Sequence, residues 1–164
     1  MKRIVFVRHA KAEDGNYKND LNRKLRSQGK EDAEMISIAL KGELIKPDLI
    51  ISSHARRALK TARIYAKTLN YHKDQIQIIE ELYEGISPDR FLRSIRKLDD
   101  SFKTVFIFGH NPTIYYLVSA LLQSYNQDMP TCTTVGIDFD VKTWKDIELL
   151  KGTLAFRLTP HLYK

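Results

Sequence analysis

Four short stretches carry residue types that can handle a phosphoryl group: Arg8-His9, Ser53 through Arg57, Glu80 through Glu84, and Gly109-His110-Asn111. Arginine presents a planar fork of donors matched to phosphate oxygens, and it stays charged at every relevant pH. A neutral imidazole nitrogen is a competent nucleophile, and a covalent intermediate divides one hard displacement into two. A nearby carboxyl group can protonate the leaving oxygen. Two histidines, two arginines and a few glutamates therefore suit phosphoryl transfer, with the arginines holding charge on the transferring oxygens. This scheme needs no metal ion and no other cofactor.

Each stretch follows an apolar run. IVFV (4–7), LII (49–51), IQII (76–79) and VFIF (105–108) read as buried strands, the first covering about residues 3–7. Helical patterns alternate with them. One runs over about 28–41, with Ser27 as N-cap and Gly42 near its end, and a second over about 56–69. A third opens at Ser87-Pro88 and continues through about Leu98, and a fourth runs from Pro112 to near Ser124. TVGIDFDV and TLAFRL, around a turn near 142–145, predict a hairpin added to the sheet edge. The alternation implies an α/β fold: an open, mostly parallel sheet with helices on both faces and a C-terminal edge hairpin, in a single domain over 1–164. Parallel strands deliver their carboxyl ends to one rim, where ligands bind, so the four stretches should converge.

The second helix sharpens the expectation. Arg56, Lys60, Arg63 and Lys67 form a basic stripe, which reads as a solvated face, while Arg57 lies off it in the first turn. A cation there opposes the helix dipole, which is easier to rationalise if an anion sits there as well.

Bulk properties set the remaining bounds. The chain has 164 residues, a formal charge of +7 and a single cysteine, Cys132. No internal disulfide can form, no apolar run approaches the roughly 20 residues of a membrane span, and no signal-peptide core follows Lys2-Arg3. These features point to a cytoplasmic protein, a monomer with no membrane partner. The basic balance fits a nucleic acid, an anionic membrane or a phosphorylated or acidic substrate. No nucleic-acid motif accompanies it.

RHA (8–10), SHARRALKTA (53–62) and GHNP (109–112) resemble the three signature blocks of the histidine phosphatase superfamily, alanine replacing the glycine of Arg-His-Gly. The likeness extends to RKLRSQGKEDA (23–33), LYEGISPDRFL (82–92) and the closing hairpin. The nearest branch is the small bacterial phosphohistidine phosphatases of the SixA type. The resemblance implies a phosphoglycerate mutase-like fold, with His9 as the phosphorylated nucleophile and Arg8, Arg57 and His110 around the phosphoryl group. It makes Glu84 the best match to the family's proton donor, with Glu81 behind it. Ala10 fits if its backbone needs no positive φ. His54 stands where the family usually has proline and receives no role.

The segment over 80–87 is short where mutase-type relatives carry an insertion that closes over a sugar phosphate. An open site favours a phosphatase acting on a phosphohistidine-bearing protein. The alternatives are a small-molecule phosphomonoester phosphatase, a mutase, and a non-catalytic phosphate-binding module. Nucleic-acid binding would leave His9 without a task. His72, His161 and Lys11 are expected in solvent, and Tyr115, Tyr116 and Trp144 in packing.

Overall fold

The apolar runs are continuous because the sheet they build is covered on both sides. The computed structural model describes residues 1–164, the side chain of Tyr17 excepted. Its strands are β1 (Lys2–Arg8), β2 (Leu49–Ser52), β3 (Gln77–Ile78), β4 (Thr104–Gly109), β5 (Thr134–Phe139) and β6 (Thr153–Leu158). They lie in the order β3-β2-β4-β1-β5-β6. The first four are mutually parallel, while β5 runs antiparallel to both β1 and β6. This is the expected mostly parallel α/β sheet, with the C-terminal hairpin on its edge.

Alternation along β1 divides the core. Ile4 and Phe6 pack with Ile51, Ile107 and the buried faces of α4 (Pro88–Ile95) and α5 (Thr113–Leu121). Val5 and Val7 pack with Ile50, Phe106, Phe108 and helices α1 (Ser27–Gly42) and α2 (Arg56–Thr68). Successive side chains of a strand point to opposite faces, so helices on both sides demand apolar residues at every position. Trp144 is fully buried, as expected of a packing residue.

Several boundaries differ from expectation. The N-cap of α1 is Arg26 rather than Ser27, and its backbone N–H is taken by Lys11 O. Gly42 remains helical, and Leu44 adopts the left-handed conformation (φ 61°). Only two residues of IQII pair as β3, because this is the edge strand and both residues are exposed. Glu81–Glu84 form one helical turn, α3. The helix opening at Ser87-Pro88 keeps its expected start, with Ser87 Oγ accepting from Arg90 N–H at 3.2 Å, but stops at Ile95. The next starts one residue after Pro112 and ends at Leu121, because Leu122 is extended and bridges to Gly152. The hairpin connection spans 140–152 instead of a tight turn.

The chain after β1 is held by close backbone approach. A Cβ on Gly29, in the first turn of α1, would lie 2.1 Å from Lys11 O, so only glycine lets the helix seat there. Among the described residues, no helix is long and apolar enough to cross a membrane.

Candidate active site

β1 and β4 are neighbours in register, with Arg8 opposite Gly109, so His9 and His110 leave the sheet side by side. Their ring centroids are 5.1 Å apart. The histidines are each 7% exposed, and Arg57, from the first turn of α2, is 5% exposed. Four of the sequence-predicted residues thus meet at one rim: Arg8, His9, Arg57 and His110.

Backbone contacts fix the His9 turn. His9 N–H donates to Gly109 O at 3.0 Å, and Ala10 N–H donates to Thr61 Oγ1 at 3.0 Å. The N–H of Cys132 is shared between the carbonyls of Arg8 and His9, at 3.1 and 3.0 Å. Ala10 is fully buried and is not among the residues of positive φ, so alanine replaces the family's glycine without strain.

The imidazole of His9 has a defined tautomer. Its Nδ1 lies 2.8 Å from Ala10 O, and a carbonyl only accepts, so Nδ1 carries the proton and Nε2 keeps its lone pair. Burial holds the His9 pKa down to about 4. The bond to Ala10 opposes that shift, and the charges of Arg57, Arg8 and Arg23 add to it. Burial, with His9 and Arg57 adding, brings His110 to about 3. Both rings are neutral at pH 7.

Ser53 orients the second histidine. Its Oγ accepts from Ala55 N–H at 3.1 Å and lies 2.7 Å from His110 Nε2. The other nitrogen of that ring, Nδ1, is buried without a partner among the described residues, as are Arg8 Nε and Arg57 Nε. Burial lowers the Arg8 pKa, and the Arg57 charge lowers it further. Two like charges beside unpartnered polar atoms make a site that an anion would complete.

Sequence reasoning passed over the residue that anchors Arg57. Asp20, in the 3-10 turn Tyr17–Asn22, accepts from Arg57 Nη2 through Oδ2 at 3.0 Å and from Nη1 through its carbonyl at 2.6 Å. Tyr83 and Arg23 donate to the same carboxylate at 2.7 and 3.1 Å. These bonds hold Asp20 down to about 2 despite an opposing contribution from burial. Its spacing of 37 residues from Arg57 leaves no local signal; the nearest hint was an acid in a turn otherwise surrounded by cations.

The carboxylates after β3 separate. Glu81 is ion-paired with Arg90 Nε at 2.6 Å. Glu84 lines a cleft of about 720 Å³ that also contains Tyr83, His110 and Asn111. Tyr116, expected in packing, is instead 60% exposed on this cleft. His54 stacks edge-on to Tyr83, with centroids 5.5 Å apart. His72, His161 and Lys11 are exposed, as expected.

The sequence matches the family model of the histidine phosphatase superfamily (branch 1) over residues 4–86. No curated protein matches it. Similar solved structures include the protein histidine phosphatase SixA complexed with tungstate, 20% identical, with a TM-score of 0.85 over 99% of each chain. A SixA from Agrobacterium tumefaciens, assigned as a phosphohistidine phosphatase, is 25% identical with a TM-score of 0.80 over 97% of this chain and 98% of its own. Mycobacterial glucosyl-3-phosphoglycerate phosphatase is 16% identical, with a TM-score of 0.67 over 94% and 98%. The fold is common to all three.

Proposed function

The chain belongs to the histidine phosphatase superfamily, and on that premise we propose that it is a phosphatase working through a covalent phosphoryl group on His9, with phosphohistidine on another protein as its substrate. One observation carries the reading: the Nδ1–H of His9 is committed to Ala10 O, which leaves Nε2 as a neutral nucleophile between Arg8, Arg57 and His110.

The Nε2 lone pair attacks phosphorus while the bond from phosphorus to the leaving nitrogen or oxygen breaks. The electron pair of that bond goes to the leaving atom, which takes a proton from the Glu84 carboxyl. Water then attacks the phosphohistidine, the P–Nε2 bond breaks, phosphate leaves, and Glu84 regains its proton from that water. Arg8, Arg57 and the Nδ1 side of His110 carry the charge on the transferring oxygens. The similar SixA complexed with tungstate, itself a tetrahedral oxyanion, supports an oxyanion-binding role.

Substrate size follows from the connection between β3 and α4. It spans only residues 79–87, with one helical turn, and holds no insertion that could close over a detached product. A phosphoryl group displayed on a protein surface reaches such a site directly. The second reading is a small phosphomonoester, which the cleft beside His110 is large enough to hold.

The test is turnover of an aryl phosphate and of a phosphohistidine protein by wild type and His9→Ala, with intact-mass analysis of each enzyme. An acid-labile phosphoryl adduct is expected on the wild type alone. Equal turnover by His9→Ala would overturn the mechanism, and activity confined to esters would overturn the substrate class.

A further inference from the structure

Beside the phosphate pocket lies a second concavity, of about 760 Å³, between the turn at 13–27 and the exposed side of α2. Lys24, Arg26, Lys30, Arg56, Lys60 and Arg63 line it, against one acid, Glu13. Three members of the stripe read from the sequence as a solvated face therefore look into a cleft shared with cations from another part of the chain. Only Arg26 among the six has an ion-pair partner within 4.0 Å among the described residues, and that is Asp14, almost fully exposed. The fold therefore concentrates like charge without offsetting it, and the cations of α2 also oppose the helix dipole near its start.

We propose that this cleft docks an acidic segment of the protein that carries the phosphoryl group; the proposal rests on the phosphohistidine reading above. Continuity with the pocket supports it. His54 lines the cleft, its ring is 5.5 Å from that of Tyr83, and the Tyr83 ring is 5.5 Å from that of His110. Leu21 and Asn22, also in the cleft wall, directly follow Asp20, which holds Arg57. A chain seated in the cleft presents its neighbouring phosphorylated residue to Arg57 and His110. The lining also selects the kind of partner. Leu21, Leu25 and Leu59 lie among the cations, and among the described residues no Phe, Tyr or Trp does. That mixture suits an amphipathic acidic stretch of protein, whereas single-stranded nucleic acid is held by aromatic stacking along a basic groove.

The probes are two synthetic phosphohistidine peptides of equal length, one flanked by glutamates and one by glutamines, together with the unphosphorylated glutamate peptide and an aryl phosphate. The enzymes are wild type and the triple variant Lys30→Glu, Lys60→Glu, Arg63→Glu. Wild type should show about tenfold higher kcat/KM for the glutamate peptide, falling with added salt, and the variant should lose that preference. Aryl phosphate turnover should be unchanged in the variant, which shows that the pocket is intact. Equal kcat/KM for the two peptides in wild type, or a preference that survives in the variant, overturns the proposal. If neither phosphopeptide is hydrolysed while the aryl phosphate is, the phosphohistidine reading fails; binding of the unphosphorylated glutamate peptide by wild type but not by the variant then still supports the docking site. Tighter binding of a mixed-sequence DNA 12-mer than of that peptide, lost in the same variant, overturns it.

Discussion

Arg57 is clasped twice by Asp20, through the backbone carbonyl at 2.6 Å and the carboxylate at 3.0 Å. The contact brings the turn Tyr17–Asn22 against the first turn of α2 and aims a guanidinium that the fold would otherwise leave to swing. With a pKa held at about 2, Asp20 is a poor source of protons near neutrality, so its part is to position Arg57.

Asp20→Ala should raise KM for an aryl phosphate about tenfold, because Arg57 loses one charge-assisted bond and Tyr83 loses its acceptor. Asp20→Asn keeps an acceptor oxygen and should recover part of the loss. Steady-state kinetics on the three proteins decide the matter. An unchanged KM in the alanine variant would remove Asp20 from the account.

Ser53 sets the second histidine. Ser53 Oγ already accepts from Ala55 N–H, so its buried hydroxyl proton is free to go to Nε2. That puts the ring proton of His110 on Nδ1, the nitrogen that has no partner among the described residues. Ser53→Ala should lower kcat/KM by about tenfold, the scale of one lost buried hydrogen bond. In the wild type, nitrogen chemical shifts should report the Nδ1–H form of His110, and the variant should shift toward a mixture. Identical tautomer populations in both proteins would argue against this role.

Acid should inactivate and destabilise the protein in separate pH ranges. Both histidines are buried neutral, near 4 for His9 and 3 for His110, against about 6.5 when unfolded. Below about pH 6.5 the unfolded chain binds protons that the folded one refuses, so stability falls as pH falls toward 4. The slope is at most about 1.4 kcal/mol per pH unit for each histidine. Asp20 is shifted in the same direction but in a lower window; its contribution is present above its unfolded value and is lost as pH drops toward 2. Thermal unfolding against pH should show the histidine slope, and His9→Ala with His110→Ala should flatten it. The acid limb of kcat/KM, corrected for ionisation of the substrate, should lie near pH 4. A limb near pH 6.5 would contradict a buried neutral nucleophile.

Glu84→Gln should separate substrates by leaving group. An alkoxide needs a proton far more than an imidazole does, so hydrolysis of an alkyl phosphate should fall about 10²-fold or more while phosphohistidine hydrolysis falls much less. Equal losses on both would place Glu84 in binding instead. Glu81→Gln, which removes only a partner of Arg90, should change neither.

The sheet and the four-residue cluster were legible because each is encoded locally. An unbroken apolar run such as Val105–Phe108 announces a doubly covered strand, and Gly109-His110 follows at once. Ser87-Pro88 marked a helix start through an oxygen and a fixed φ within two residues. The contacts that were not legible join distant parts of the chain. Asp20 meets Arg57 across 37 positions, Cys132 ties down the carbonyls of Arg8 and His9, and Met129 O takes the Arg8 guanidinium at 2.9 Å. The basic stripe was visible as spacing alone. Its cleft required Lys24, Arg26 and Lys30 to fold over from the other side.

Because Arg8 faces Gly109 across a parallel ladder, the gap between the two imidazoles is close to the repeat between adjacent strands, about 4.8 Å. The jaw that would grip a tetrahedral group is therefore gauged by main-chain bonding and owes little to rotamer choice. Loops around it can be rebuilt for other cargo without altering its bite.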